Sequence, residues 1–153
     1  MKNILIPVDH EGCSQNAVLY AIEIARAAKS DITLLHIQES PDFNTSEDEQ
    51  ERALMKKYET LAAHAGNIRA ISVLSGGSVH DSILQTANDM KADLIVMGTT
   101  GAGDMGSEIL GSVTGAVIAD AECPVLAIPC HHTFHLPKRI TFATDYHKAD
   151  IKS

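Results

Sequence analysis

Leu94-Ile-Val-Met97-Gly98-Thr-Thr-Gly101-Ala-Gly103-Asp-Met-Gly106-Ser-Glu-Ile-Leu-Gly111-Ser112 joins an apolar run to a glycine-dense loop. Residues 98–115 hold six of the ten glycines: Gly98, Gly101, Gly103, Gly106, Gly111 and Gly115. Leu94 to Met97 is short, continuous and apolar, which fits a strand buried on both faces of a parallel sheet. In open α/β sheets, ligands bind at the carboxyl ends of strands, where the topology reverses. Glycines at such a place let the backbone approach a phosphate and turn its amides inward. The plainer account of the same glycines is a flexible connection with left-handed turns.

Similar apolar runs stand on either side. Ile4 to Val8, Ile32 to Ile37 and Val125 to Ile128 read as strands, and Ile71 to Leu74 is a weaker candidate. Helical spacing separates them. Ala17, Val18, Ala21, Ile22 and Ala25 mark one face of a helix near 14–29. Leu54, Tyr58, Leu61, Ala62 and Ala65 mark another near 47–65, with Ser46 and Glu49 as a capping box. Ser78 and Asp81 offer a second box, opening a helix that carries Ile83, Leu84 and Ala87. A last helix runs from about Ser112 to Ala121, and Pro124 bars its continuation. Strict β-α alternation implies crossover connections and a parallel sheet in a layered α/β fold.

The chain has 153 residues, about one domain, and its composition is that of a globular protein. Its net charge of −8 disfavours broad contact with nucleic acid, but leaves room for one nucleotide held by backbone amides. No run approaches a membrane span. Cys13, Cys123 and Cys130 are odd in number and lack CxxC spacing, so reduced thiols and a cytoplasmic protein are expected.

Three phosphate motifs compete for the glycine loop. A Walker A loop needs a Lys, and none lies between Lys91 and Lys138. Gly101-Ala-Gly103-Asp-Met-Gly106 matches a dinucleotide fingerprint by letter. The acid expected at the end of the following strand is missing, since that strand closes on Ile128-Pro129-Cys130. The third pattern is Gly98-Thr-Thr-Gly101, nine residues, then Gly111-Ser112.

That pattern, G-x-x-G-x9-G-[ST], resembles the nucleotide-binding loop of the universal stress protein family. So do Ala92-Asp-Leu-Ile-Val-Met-Gly, Cys-Pro-Val-Leu-Ala-Ile-Pro129 and the opening Ile-Leu-Ile-Pro-Val-Asp9. The resemblance covers residues 2–129. It implies an open five-stranded parallel sheet of order 3-2-1-4-5 with helices on both faces, an adenine nucleotide alpha hydrolase-like fold. It also implies ATP, with Mg²⁺, as the ligand of a nucleotide-dependent regulator of the stress response. Pro7 and Val8 would flank the base, Asp9 would take the ribose hydroxyls, Ile37 would meet the adenine edge and Met97 would line the pocket. Gly98, Gly101, Gly111, Ser112, Val113 and Thr114 would hold the phosphates, the Ser112 and Thr114 hydroxyls adding donors. Some members of that family lack the glycine pattern and do not bind ATP, whereas this chain keeps each glycine. Asp104 and Glu108 put negative charge inside the loop. A turn or capping role is the alternative for Asp9.

No nucleophile elbow or paired-acid constellation is visible, so the expectation is no enzyme, or slow ATP hydrolysis at most. The competing functions are a dimerisation module that binds no nucleotide and an NAD-dependent oxidoreductase. Cys13, near a helix start, is a conceivable redox thiol, with an inert thiol as the plainer reading. Cys130, His131, His132 and His135 cluster as an exposed polar linker, or alternatively as metal ligands.

Lys138-Arg-Ile-Thr-Phe-Ala-Thr-Asp145 echoes Lys2-Asn-Ile-Leu-Ile-Pro-Val-Asp9. The expected organisation is a domain over 1–129, a linker over 130–137, and over 138–153 the first strand of a truncated second repeat. An apolar edge strand, Val125–Ile128, invites a homodimer, and the tail is the other candidate for pairing.

Overall fold

The computed structural model describes residues 1–9, 12–38, 46–63, 68–74, 78–99, 110–130, 134, 135, 137–139 and 141. Each apolar run becomes a strand: β1 (Asn3–Val8), β2 (Asp31–Gln38), β3 (Ile68–Leu74), β4 (Leu94–Gly98) and β5 (Val125–Ile128). Between them lie α1 (Gly12–Ala28), α2 (Ser46–Ala62), α3 (Val79–Met90) and α4 (Ser112–Asp120). The strands form one parallel sheet in the order β3-β2-β1-β4-β5, the order the resemblance implied.

Alternation along the strands sorts the core into two layers. Ile4, Ile6 and Val8 pack with Ala17, Val18, Ala21 and Ala25 of α1 and with Met55, Tyr58 and Ala62 of α2. Leu5, Leu35, Ile95 and Met97 face the other way, onto Ile83 and Ala87 of α3 and Val117 of α4. Small alanines on α1 let its axis lie close to the central strands.

The element ends have local causes. The Ser78 hydroxyl accepts from the Asp81 amide at 3.1 Å and donates to its carboxylate at 2.8 Å, starting α3. Both α1 and α3 stop on a lysine in the left-handed region, Lys29 and Lys91. The Asp93 carboxylate accepts from the Lys2 and Asn3 amides, anchoring the start of β1. β3 begins three residues before Ile71, the expected start. Among the described residues it borders only β2, at the edge of the sheet.

The cysteines need a correction. Cys13 and Cys130 are joined by a disulfide, with Cα atoms 4.3 Å apart, and Cys123 alone is free. The expectation of three reduced thiols fails because spacing carries no sign of a pair 117 residues apart. Topology makes the pair: the start of α1 lies beside the end of β5. Two further contacts extend it along one face of α1. Asn16 Nδ2 donates to the Pro129 carbonyl at 2.7 Å, and the Tyr20 and Phe134 rings meet edge to face at 4.9 Å. Positions 13, 16 and 20 share a helical face, so α1 carries Pro129, Cys130 and Phe134 along its length.

Of the tail, Lys138, Arg139 and Thr141 are described and exposed. The remainder of the expected second-repeat strand lies outside the described residues. So do His131 and His132, and Cys130 already has its sulfur partner in Cys13. Among the described residues, no helix is long and apolar enough to cross a membrane.

Candidate functional site

The sheet order reverses between β1 and β4, and the ladder at that junction ends before a proline. The Asn3 carbonyl accepts from Asp93, on the β4 side. Backbone groups alternate sides along a strand, so Leu5 and Pro7 also face β4. Pro7 has no N–H to give. The β1–β4 ladder pairs Ile4 with Leu94 and Leu5 with Ile95, then stops, whereas the β1–β2 ladder continues to Val8 and His36. The carboxyl ends of β1 and β4 therefore lack a mutual ladder.

Asp9 stands at the end of β1, exposed to solvent. Its carboxylate accepts from the Ser14 hydroxyl at 2.6 Å, and the same hydroxyl accepts from the Asp9 amide at 3.1 Å. Ser14 is buried in the first turn of α1, so it fixes the carboxylate from below. Burial, and after it the charge of Asp9, pushes the Tyr58 phenol above its usual pKa. This places the α2 tyrosine within the electrostatic reach of Asp9. His36 is buried, and its Nδ1 lies 3.2 Å from the Val8 carbonyl oxygen. A carbonyl only accepts, so this nitrogen carries the hydrogen.

An apolar floor lies beside Asp9. Val8 pairs with His36, which sets Ile37 level with Asp9 on the neighbouring strand. Ile37, Met97 and Val113 belong to the core layer under α3 and α4, and strand alternation puts Pro7 on that face too. Val8 points into the opposite layer.

Gly98 and α4 form the other wall. A Cβ on Gly98 would lie 2.8 Å from Cys13 Cβ and 2.9 Å from the Cys13 carbonyl carbon and oxygen. This glycine admits the first turn of α1. The Thr114 hydroxyl donates to the Gly98 carbonyl at 3.0 Å, and Thr114 is buried. Its expected role as a hydroxyl donor to phosphate is thereby corrected, because that hydrogen ties the two ends of the glycine loop together. Gly111 caps α4 without a side-chain hydrogen bond, and the Gly115 amide is the one that reaches the Gly111 carbonyl, at 2.8 Å. The amides of Ser112, Val113 and Thr114 thus precede the first intrahelical bond and point out at the positive end of the helix dipole.

The structure places Pro7, Asp9, Ile37, Met97, Gly98, Gly111, Ser112, Val113 and Thr114 at the carboxyl edge of the sheet, but the expectation that Val8 flanks a base there is corrected, because its side chain is buried in the layer under α1 and α2. Gly101, Asp104 and Glu108 lie outside the described residues. Ser14, Tyr58 and His36 carry no motif in the sequence that ties them to Asp9 and the end of β1. The one hint for Ser14 was a small hydroxyl residue five positions after Asp9.

A profile of the universal stress protein family matches residues 1–129. A universal stress protein of Thermus aquaticus is 36% identical over 135 residues, covering 83% of this chain and 98% of its own length. One from Methanocaldococcus jannaschii is 31% identical over 140 residues, with 83% of this chain and 81% of the relative covered. Among solved structures, the universal stress protein UspA of Lactobacillus plantarum superposes with a TM-score of 0.71 at 26% identity, covering 83% of this chain and 97% of that one. More distant structures of the same fold include a universal stress protein in complex with cAMP (TM-score 0.67, 24% identity) and one from Archaeoglobus fulgidus in complex with dAMP (TM-score 0.67, 21% identity). They cover 84% of this chain and 97% and 98% of their own lengths. By its sequence profile, its relatives and its strand order, the chain belongs to the universal stress protein family.

Proposed function

We propose that this chain binds ATP, with Mg²⁺, at the carboxyl edge of its sheet and acts as a nucleotide-dependent regulator in the stress response. The observation that carries the reading is the start of α4. Gly111 leaves its amide cluster without a side-chain cap, and the exposed Asp9 carboxylate stands across the β1–β4 junction. Anions favour the first feature and vicinal hydroxyls the second, so the pair suits the phosphate and ribose ends of one molecule. The apolar face of Pro7, Ile37 and Met97 suits a base between them. In this reading Ser112, Val113 and Thr114 offer amides, and Asp9 accepts from the ribose. Mg²⁺ would offset the phosphate charge. The adenine nucleotides named with structural neighbours support the ligand class.

No catalytic residue is assigned; occupancy itself, through the order of the glycine loop, is the signal. The protomer would pair with a second copy through β5, which borders only β4 and keeps Val125, Leu126 and Ala127 partly exposed. The tail that begins at Lys138 is the other route to that homodimer. The proposed setting is the cytoplasm.

Thermal unfolding tests the reading. Mg·ATP at a hundred times its dissociation constant adds about 2.7 kcal/mol, roughly 5–10 °C for a domain of this size. NAD should give no shift. A shift with NAD alone would restore the oxidoreductase reading, and no shift with either would leave a dimerisation module.

A further inference from the structure

We infer that Cys13 and Cys130 form a reversible redox site, and that closing it raises the affinity of the neighbouring nucleotide site. The pairing stands on its own geometry; the coupling rests on the nucleotide reading above.

Both cysteines are partly exposed, so an external disulfide can reach them. Each also has a place when reduced. The Cys130 sulfur lies 3.0 Å from the Thr99 carbonyl oxygen, to which a thiol would donate. Cys13 sits in the first turn of α1, where the helix dipole favours a thiolate. Cys123 competes poorly: burial, followed by the charges of Asp93 and Glu122, pushes its thiol pKa up.

The chemistry is thiol–disulfide exchange with a low-molecular-weight disulfide, RSSR. The Cys13 thiolate attacks one sulfur of RSSR, forming a mixed disulfide and releasing RS⁻. The Cys130 thiolate then attacks the Cys13 sulfur and releases the second RS⁻. Two protein thiols are oxidised, one RSSR is reduced to two RSH, and the two protons leave the cysteines for the two released thiolates.

The bridge touches the site on three sides. Cys13 lies directly against the Gly98 backbone. The next residue, Ser14, holds the Asp9 carboxylate. Cys130 abuts Thr99, the residue that leads into the glycine loop, and Thr99 donates to the Ile128 carbonyl at 2.9 Å. Closing the bridge therefore ties the first turn of α1, which abuts Gly98 and holds the Asp9 carboxylate through Ser14, to the end of β5. A ligand binding to the closed form has less freedom left to remove, and pre-organisation of this kind appears as affinity.

The experiment uses the full chain, reduced with a dithiol or oxidised with hydroxyethyl disulfide. Intact mass and thiol alkylation report the bridge, and calorimetry reports Mg·ATP binding in each state. Expected are a loss of two hydrogens on oxidation, Cys123 left as the alkylated thiol, and a dissociation constant at least about fivefold lower in the oxidised form. A Cys13→Ser, Cys130→Ser double variant should bind with one affinity in both conditions, and Cys123→Ser should keep the response. A persistent mixed disulfide, a Cys123 pairing, or equal affinity in both verified states overturns the inference and leaves the nucleotide reading standing. Absence of Mg·ATP binding in both verified states overturns the nucleotide reading, and the coupling with it.

Discussion

The Thr114 hydroxyl donates to the Gly98 carbonyl at 3.0 Å, so one hydrogen bond fastens the two ends of the glycine loop across sixteen positions of sequence. Thr114→Val keeps the shape and removes the donor, leaving that carbonyl short of a partner. The expected cost is about 1–2 kcal/mol in urea unfolding, with weaker Mg·ATP binding because the loop ends part. Thr114→Ser should recover most of both. A valine variant as stable as the native chain would show that the bond contributes nothing.

Two glycines should respond to alanine with opposite signs. Gly98→Ala drives a methyl into the Cys13 backbone, and α1 has to move away, costing about 1–3 kcal/mol. Gly115 lies inside α4, and its added Cβ would meet Leu110 Cδ2 at 3.6 Å, an ordinary contact. Gly115→Ala should therefore stabilise the chain by about 0.5–1 kcal/mol. Chemical unfolding of both variants reads the contrast directly.

Gly111→Val tests the phosphate end. The Gly111 backbone, with φ −60° and ψ 151°, is open to any residue, so the fold should survive. A branched side chain beside the α4 amides should abolish Mg·ATP binding in calorimetry, with the far-ultraviolet circular dichroism unchanged. Retained affinity would mean that the phosphates lie elsewhere.

Ser14→Ala tests the ribose end through a residue that itself faces away from the ligand. Without the 2.6 Å hydrogen bond the Asp9 carboxylate loses one of the contacts that orient it. Affinity for ATP should fall by about tenfold, on the scale of a hydrogen bond to a charged group. The native chain should also prefer ATP over 2′-deoxy-ATP, and this preference should shrink in the variant. A variant that keeps the full preference would show that Asp9 does not depend on Ser14.

Acid stability should report the start of β1. The Lys2 and Asn3 amides hold the Asp93 carboxyl below its usual pKa. A group depressed in the folded state stabilises above its unfolded pKa, and that contribution is lost as pH falls through the folded value. Asp93→Asn should be less stable at neutral pH and should lose less on acidification below about pH 4. Native and variant curves that stay parallel through that range would count against the assignment.

The strands and helices were legible because their apolar periods differ, and both layers of the core follow from that alternation. Ser78 and Asp81 announced the start of α3 in the sequence, and the side chains make that box. The stops of α1 and α3 were harder, since Lys29 and Lys91 occupy left-handed positions where glycine is the usual signal. That Asp9, Gly98 and Gly111 lie at the carboxyl edge of the sheet was legible, but their contacts were not. Gly98 makes room for Cys13, a contact formed by tertiary packing alone. The Cys13–Cys130 bridge and the support of Asp9 by Ser14 arise the same way, between side chains whose spacing carries no pattern.

Pro7 also bears on the newborn chain. β1 can pair with β2 as soon as Gln38 has left the ribosome, but its other edge waits for β4, which ends at Gly98. At ordinary translation rates that interval lasts several seconds. Throughout it, the nascent half-sheet presents a bare, apolar edge of the kind that recruits stray strands. Pro7 has no amide to offer, so that edge is one donor short at its carboxyl end, where an incoming strand would otherwise pair.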